Sequence, residues 1–148
     1  MRRFAPGAAA TLLAACAATE IGGVLHPTVS GSIALDDGGG VTRWTPDRCV
    51  SGDLAYFAGF DFQSSRDGAT LRAAQSPVDG PVVRWSAGDP ARAALVIRAG
   101  DCSVLEVDAR PTAWHVNDVR EFAGHVELHC APRDGPRIDG RIDVDHCH

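Results

Sequence analysis

Two short stretches carry the residue types that do metal chemistry: His125-Val126-Glu127-Leu128-His129-Cys130, and Asp145-His146-Cys147-His148 near the other end of the following segment. Imidazole, thiolate and carboxylate groups are the usual ligands of zinc and copper. The candidate metal ligands are therefore His129, Asp139, His146 and His148, with His125 and Asp143 as further members. The spacing argues against a shared ion. Val126, Leu128 and Cys130 alternate with His125, Glu127 and His129, which is a strand pattern. Two strand positions four apart lie about 13 Å from one another, too far to chelate one metal. A helix would bring them together, but the alternation opposes a helix. There is no CxxC pair and no CxxCH, and the single Met is Met1, so a copper site with an axial Met has no candidate.

The second group of interest is Pro111–Asp118, expected to be a connection between strands. It holds Trp114, His115, Asn117 (the only Asn of the chain) and Asp118, the candidate binding residues, because loops carry function more often than strands do. The competing expectation is that Trp114 closes one end of the core while Asn117 and Asp118 shape the turn. GxSxG, HExxH, Ser-x-x-Lys and a phosphate-binding Gly loop are all missing from the sequence. Gly38-Gly39-Gly40 reads as a hairpin tip. No catalytic residue and no cofactor is expected.

The elements that would position these side chains are short strands separated by turn chemistry. Gly31–Leu35 and Val41–Trp44 flank a Gly-rich loop. Leu54–Phe62 alternates, with Leu54, Tyr56, Ala58, Phe60 and Phe62 on one face. Further strands are expected at residues 69–73, 81–85, 94–98, 103–108, 119–130 and 137–145. Asp67-Gly68, Asp79-Gly80, Gly88-Asp89-Pro90, Gly100-Asp101 and Asp134-Gly135 divide them. Pro90–Val96 offers at most one helical turn. The fold class is all-β: an antiparallel β-sandwich, or small barrel, of about 8–9 short strands.

The register of the last two strands follows from complementarity. A two-residue turn at Asp134-Gly135 would set Val126 against Asp143 and mix faces. A longer, odd-numbered loop sets Val126 against Ile142, and then His129 faces Asp139, Glu127 faces Arg141 and His125 faces Asp143. Each such pair contributes from tenths of a kcal/mol to about 1 kcal/mol, which accounts for the histidines without a metal.

The N-terminus reads MRRFAPGAAATLLAAC: two arginines, a short apolar run, then Leu13-Ala14-Ala15-Cys16. This layout resembles the signal peptide and lipobox of bacterial lipoproteins. The resemblance covers the leader alone. It implies cleavage before Cys16, acyl chains on that cysteine, and, with Ala17 rather than Asp following, delivery to an outer membrane, facing the periplasm or the cell surface. The alternative is an ordinary secretory signal. The expected organisation is residues 1–15 as signal peptide, 16–30 as lipidated Cys16 and a short tether with a first strand near Ile21–Leu25, and 31–148 as one domain.

With Cys16 set aside, Cys49, Cys102, Cys130 and Cys147 form an even set, suited to two disulfides in an oxidising compartment. Four cysteines allow three pairings. If strand 103–108 pairs with 119–130, Cys102 and Cys130 share one end of the sheet, which favours Cys102–Cys130 and Cys49–Cys147.

The chain has 148 residues, 45% hydrophobic and 22% charged, with a net charge of −5. All its basic residues are arginine. Removing residues 1–15 takes two arginines and no acid, so −5 becomes −7. An acidic surface without a basic stripe excludes nucleic acid as the expected partner. The expected partners are a membrane, through the lipid anchor, and a protein of the cell envelope. The run Gly124–Cys130 also resembles the final strands of small secreted lipoprotein antigens. A lysozyme-inhibitor-like role is the first alternative. A copper–zinc dismutase-like domain is disfavoured, because only His26 precedes His115.

Overall fold

Alternating apolar and polar side chains give each strand one face to bury, and two sheets bury those faces against each other. In a computed structural model, residues 26–89 and 92–148 are described. They form ten strands: β1 (Thr28–Asp36), β2 (Val41–Trp44), β3 (Arg48–Ser51), β4 (Ala58–Gln63), β5 (Thr70–Ser76), β6 (Gly80–Ser86), β7 (Leu95–Arg98), β8 (Cys102–Val116), β9 (Val119–Cys130) and β10 (Arg137–Cys147). One sheet has the order β2-β1-β10-β9-β8 and the other β3-β4-β5-β6-β7. Every pairing is antiparallel. The all-β sandwich is thus as expected, with ten strands rather than eight or nine. The leader, Cys16 and the strand expected near Ile21–Leu25 lie outside the described residues. β1 begins at Thr28, so the last residues assigned to the tether already pair with β10.

The core is one cluster that includes Ile33, Phe60, Phe62, Leu71, Ile97, Leu128, Ile138 and Ile142, all fully buried. Burying a side chain of this size stabilises the fold by about 1.5–3 kcal/mol. Phe60 meets Phe122 edge-on across the two sheets at 6.5 Å, and Trp44 meets Trp85 edge-on at 4.8 Å. Trp44 Nε1 is buried without a hydrogen bond of good geometry. It faces the Asp67 carboxylate, whose pKa is lowered chiefly by the Ala69 amide, with Trp44 a minor contributor.

Two disulfides close the sandwich. Cys49 of β3 is bonded to Cys147 of β10, joining the two sheets. Cys102 and Cys130 join β8 to β9 at one end of their ladder. This is the pairing favoured from strand order. The register of β9 and β10 also has the expected form: Val126 opposite Ile142, Glu127 opposite Arg141, His129 opposite Asp139, His125 opposite Asp143. Residues 131–137 lie between the paired Cys130 and Ile138, an odd-numbered connection.

Three expectations are corrected. Leu54 and Tyr56 are not strand residues. Gly52–Ala55 form a 3-10 turn in which the Ser51 hydroxyl accepts the Asp53 amide, and Tyr56 takes a left-handed φ of 60°. The strand starts only at Ala58. Second, Pro111–Val116 is no loop: β8 runs through it, bulged between Pro111 and His115. Pro111 is tolerated there because β8 is an edge strand, where a missing N–H breaks no ladder bond. Third, Leu95 and Val96 belong to β7, paired with Trp85 and Arg84, so no helical turn reaches Val96. Pro90 and Ala91 lie outside the described residues.

Candidate functional site

Sheet order decides which charged side chains meet. β9 is central, between β8 and β10, so its outward residues have neighbours on both sides. Glu127 lies opposite Glu106 on β8 and Arg141 on β10. Arg141 Nη1 donates to Glu127 Oε2 at 3.0 Å, and its Nε and Nη2 donate to Asp143 Oδ1 at 3.0 and 2.8 Å. The Arg141 bond holds the Glu127 carboxyl below its ordinary pKa, and the same guanidinium lowers Asp143. Asp143, and then Glu127, raise Arg141 in return. For Asp139, burial is the largest single influence and acts upward, but the bonds from Arg137 and His129 together outweigh it and lower the pKa.

The two histidines of the HVELHC stretch have separate partners. His125 Nε2 is 3.4 Å from Glu106 Oε1, and its Nδ1 is 3.5 Å from Asp108 Oδ2. His129 Nδ1 is 3.2 Å from Asp139 Oδ1, and its Nε2 is 3.4 Å from Glu127 Oε1. Asp143 stands across from His125 in register, but its carboxylate is taken by Arg141, and β8 supplies the partners of His125.

The candidate metal ligands are accordingly not gathered into one set. His129 and Asp139 meet each other, while His146 and His148 lie near the far end of β10. Among the described residues, the three groups that do come within 4.8 Å of one another are Glu106, His125 and Glu127. Glu106 is absent from the sequence-derived set, although the expected pairing of 103–108 with 119–130 points to it. One imidazole and two carboxylates suit zinc by type. However, Glu127 already accepts from Arg141, and His125 lies among three carboxylates, including Asp108. A metal would have to displace an existing ion pair.

The terminal stretch is organised around a buried carboxylate. Glu121, only 2% exposed, accepts from the Thr112 hydroxyl at 3.0 Å, and the same oxygen is 3.0 Å from His146 Nδ1. By strand alternation Glu121 belongs to the outward face, with Ala123 and His125. It is covered because β8 bulges at residues 112–114 and β10 bulges between Val144 and Cys147, where His146 has φ 56°. These bulges, which no periodicity announces, are why sequence reasoning missed it. The hydroxyl bonds to the acid, not to the imidazole, so the order differs from that of a hydroxyl–imidazole–acid relay. His148 Nδ1 contacts the His146 carbonyl at 2.9 Å, and Cys147 is disulfide-bonded rather than a free ligand.

The Pro111–Asp118 residues sit at the β8–β9 tip. Asn117 (φ 50°) and Asp118 (φ 64°) form a two-residue turn of the kind whose twist matches paired strands. Trp114 is 63% exposed, so it does not close the core as expected. Phe122, opposite Pro111, is the buried aromatic there. His115 pairs with Arg120.

No protein-family model, no curated protein and no solved structure matches this chain. Among the described residues, no helix is long and apolar enough to cross a membrane.

Proposed function

We propose that this chain is an exported bacterial lipoprotein, anchored through acyl chains on Cys16, whose β-sandwich serves a non-catalytic binding or structural role in the cell envelope. One observation carries the reading: the other four cysteines are consumed in Cys49–Cys147 and Cys102–Cys130. Such a pairing belongs to an oxidising compartment. It leaves a single cysteine, and that cysteine stands at the end of Leu13-Ala14-Ala15-Cys16. Ala17 favours the outer membrane. The described face offers an ion-paired surface, not an open reactive centre, which supports a binding or structural role.

The test is fractionation of cells making the intact chain and its Cys16→Ala variant. The intact chain is expected in the membrane fraction, resistant to salt and carbonate washing. The variant is expected in the soluble envelope fraction or retained as uncleaved precursor. An intact chain recovered as soluble protein would overturn the reading.

A further inference from the structure

The two ends of the sandwich differ in surface chemistry, and the difference lines up with the path of the chain. At one end lie the start of β1, the end of β10 and the β8–β9 tip: Thr28 pairs with Asp145, and Cys147 with Phe122. The 3-10 turn joins the same end, since the Arg120 amide donates to Asp53 Oδ2 at 2.8 Å and the Ser51 hydroxyl donates to the Arg120 carbonyl at 2.6 Å. The β5–β6 turn is there too, because Gln75 pairs with Ala58, just beyond that 3-10 turn. This end carries Leu54 (62% exposed), Tyr56 (98%), Val78 (88%) and Trp114 (63%). The opposite end carries Asp36 at the close of β1, Asp37, Asp67, Asp89 and Asp134 on its connections, with Arg66, Arg92 and Arg133 among them, and, among the described residues, a single large exposed apolar residue, Val41.

Four large apolar side chains are exposed at this one end, on the 3-10 turn, the β5–β6 turn and the bulged part of β8, and a cluster of that kind marks an interaction surface. None is explained by packing. Tyr56 is held outward by a left-handed backbone that costs a bulky residue free energy. The described residues begin at this same end, and the stretch from Cys16 to Thr28 can reach at most about 40 Å when fully extended. An anchor at Cys16 therefore joins the domain at this end, within reach of the bilayer.

We propose that Leu54, Tyr56, Val78 and Trp114 form a lipid-docking surface that seats the domain on the membrane to which its tether leads. The proposal rests on the lipid-anchor reading. Trp and Tyr are favoured at the bilayer–water interface, where an apolar ring meets hydrated headgroups. Asp79 and Asp118, at two of the same tips, keep insertion shallow. The opposite end, with its mixed Asp and Arg side chains, then faces away from the membrane, where it is presented to the aqueous phase and to any partner.

The experiment uses residues 16–148, which retain every described residue, coupled through Cys16 to a maleimide-bearing lipid in phosphatidylcholine vesicles. The tether is thereby restored whether or not the cell acylates Cys16. Trp44 and Trp85 are buried, so subtracting the Trp114→Phe variant isolates Trp114 emission. Lipids brominated just below the headgroup are expected to quench Trp114, and iodide quenching is expected to fall relative to the uncoupled domain. The variant Tyr56→Ser/Val78→Ser is expected to weaken both effects. Trp114 emission that ignores brominated lipid and stays fully open to iodide would overturn the docking surface. Intact mass of the protein from its native membranes, without acyl chains, would overturn the anchor instead, so the two failures are separable.

Discussion

Cys49 and Cys147 are bonded across the interface between the two sheets, 98 residues apart in sequence. The bond ties the short edge strand β3 to the end of β10, next to the bulge that places His146 over Glu121. Cys102–Cys130, with a separation of 28, stays within one sheet. On a chain-entropy basis, the longer loop stabilises the folded state by about 4.7 kcal/mol and the shorter by about 3.6 kcal/mol.

The double variant Cys49→Ser/Cys147→Ser is therefore expected to lose about 1 kcal/mol more than Cys102→Ser/Cys130→Ser. Denaturant unfolding of the two variants checks this. The reverse order would show that native-state contacts at Cys102, not loop length, dominate.

The Arg141 network predicts how stability depends on acid. Glu127, Asp139 and Asp143 all have depressed carboxyl pKa values in the fold. Their contribution is fully present above their unfolded values, near 4, and is lost as pH falls through the lower folded values. Melting temperature is expected to be insensitive to these groups above pH 5 and to drop below pH 4. In Arg141→Gln the drop is expected to be shallower, because Glu127 and Asp143 lose the partner that lowers them. An acid limb unchanged by that substitution would assign acid sensitivity to other carboxylates.

Gly124 has φ +146°, and a Cβ there would fall 1.7 Å from the Asp108 carbonyl oxygen, a backbone atom that cannot turn aside. Gly124→Ala is expected to cost more than about 2 kcal/mol. Gly38→Ala is a useful control for the strain term: its φ is +83° but nothing lies within 4 Å, so its cost should be smaller.

His125 and His129 already have carboxylate neighbours on both ring nitrogens, and no response to zinc is predicted. A site occupied at one hundred times its Kd would raise stability by about 2.7 kcal/mol. Thermal unfolding with and without added zinc is expected to coincide. A saturable increase abolished by His125→Ala would instead make Glu106, His125 and Glu127 a metal site.

Much of this was legible in the sequence, for physical reasons. The β9–β10 register could be read because only one alignment keeps Val126 with Ile142 while matching Glu127 to Arg141. The disulfides followed because strand order brought Cys102 and Cys130 together and left Cys49 for Cys147. What failed were local departures from alternation. Leu54 and Tyr56 continue the period of Phe60 and Phe62, yet the Ser51 cap and Gly52 turn the chain first; a Cβ on Gly52 would strike the Phe57 carbonyl at 2.5 Å. Pro111 looked like a break, but an edge strand accommodates it. Glu121 sits on the polar face by alternation, and only the bulges at 112–114 and at His146 bury it.

The most direct test of the central claim is intact mass combined with thiol alkylation, on protein taken from its native membranes, unfolded in chelator, before and after reduction. The account predicts no reactive thiol before reduction, alkylation of Cys49, Cys102, Cys130 and Cys147 after it, and the mass of acyl chains on Cys16 throughout. Free thiols among those four before reduction, or an unmodified Cys16, would contradict it.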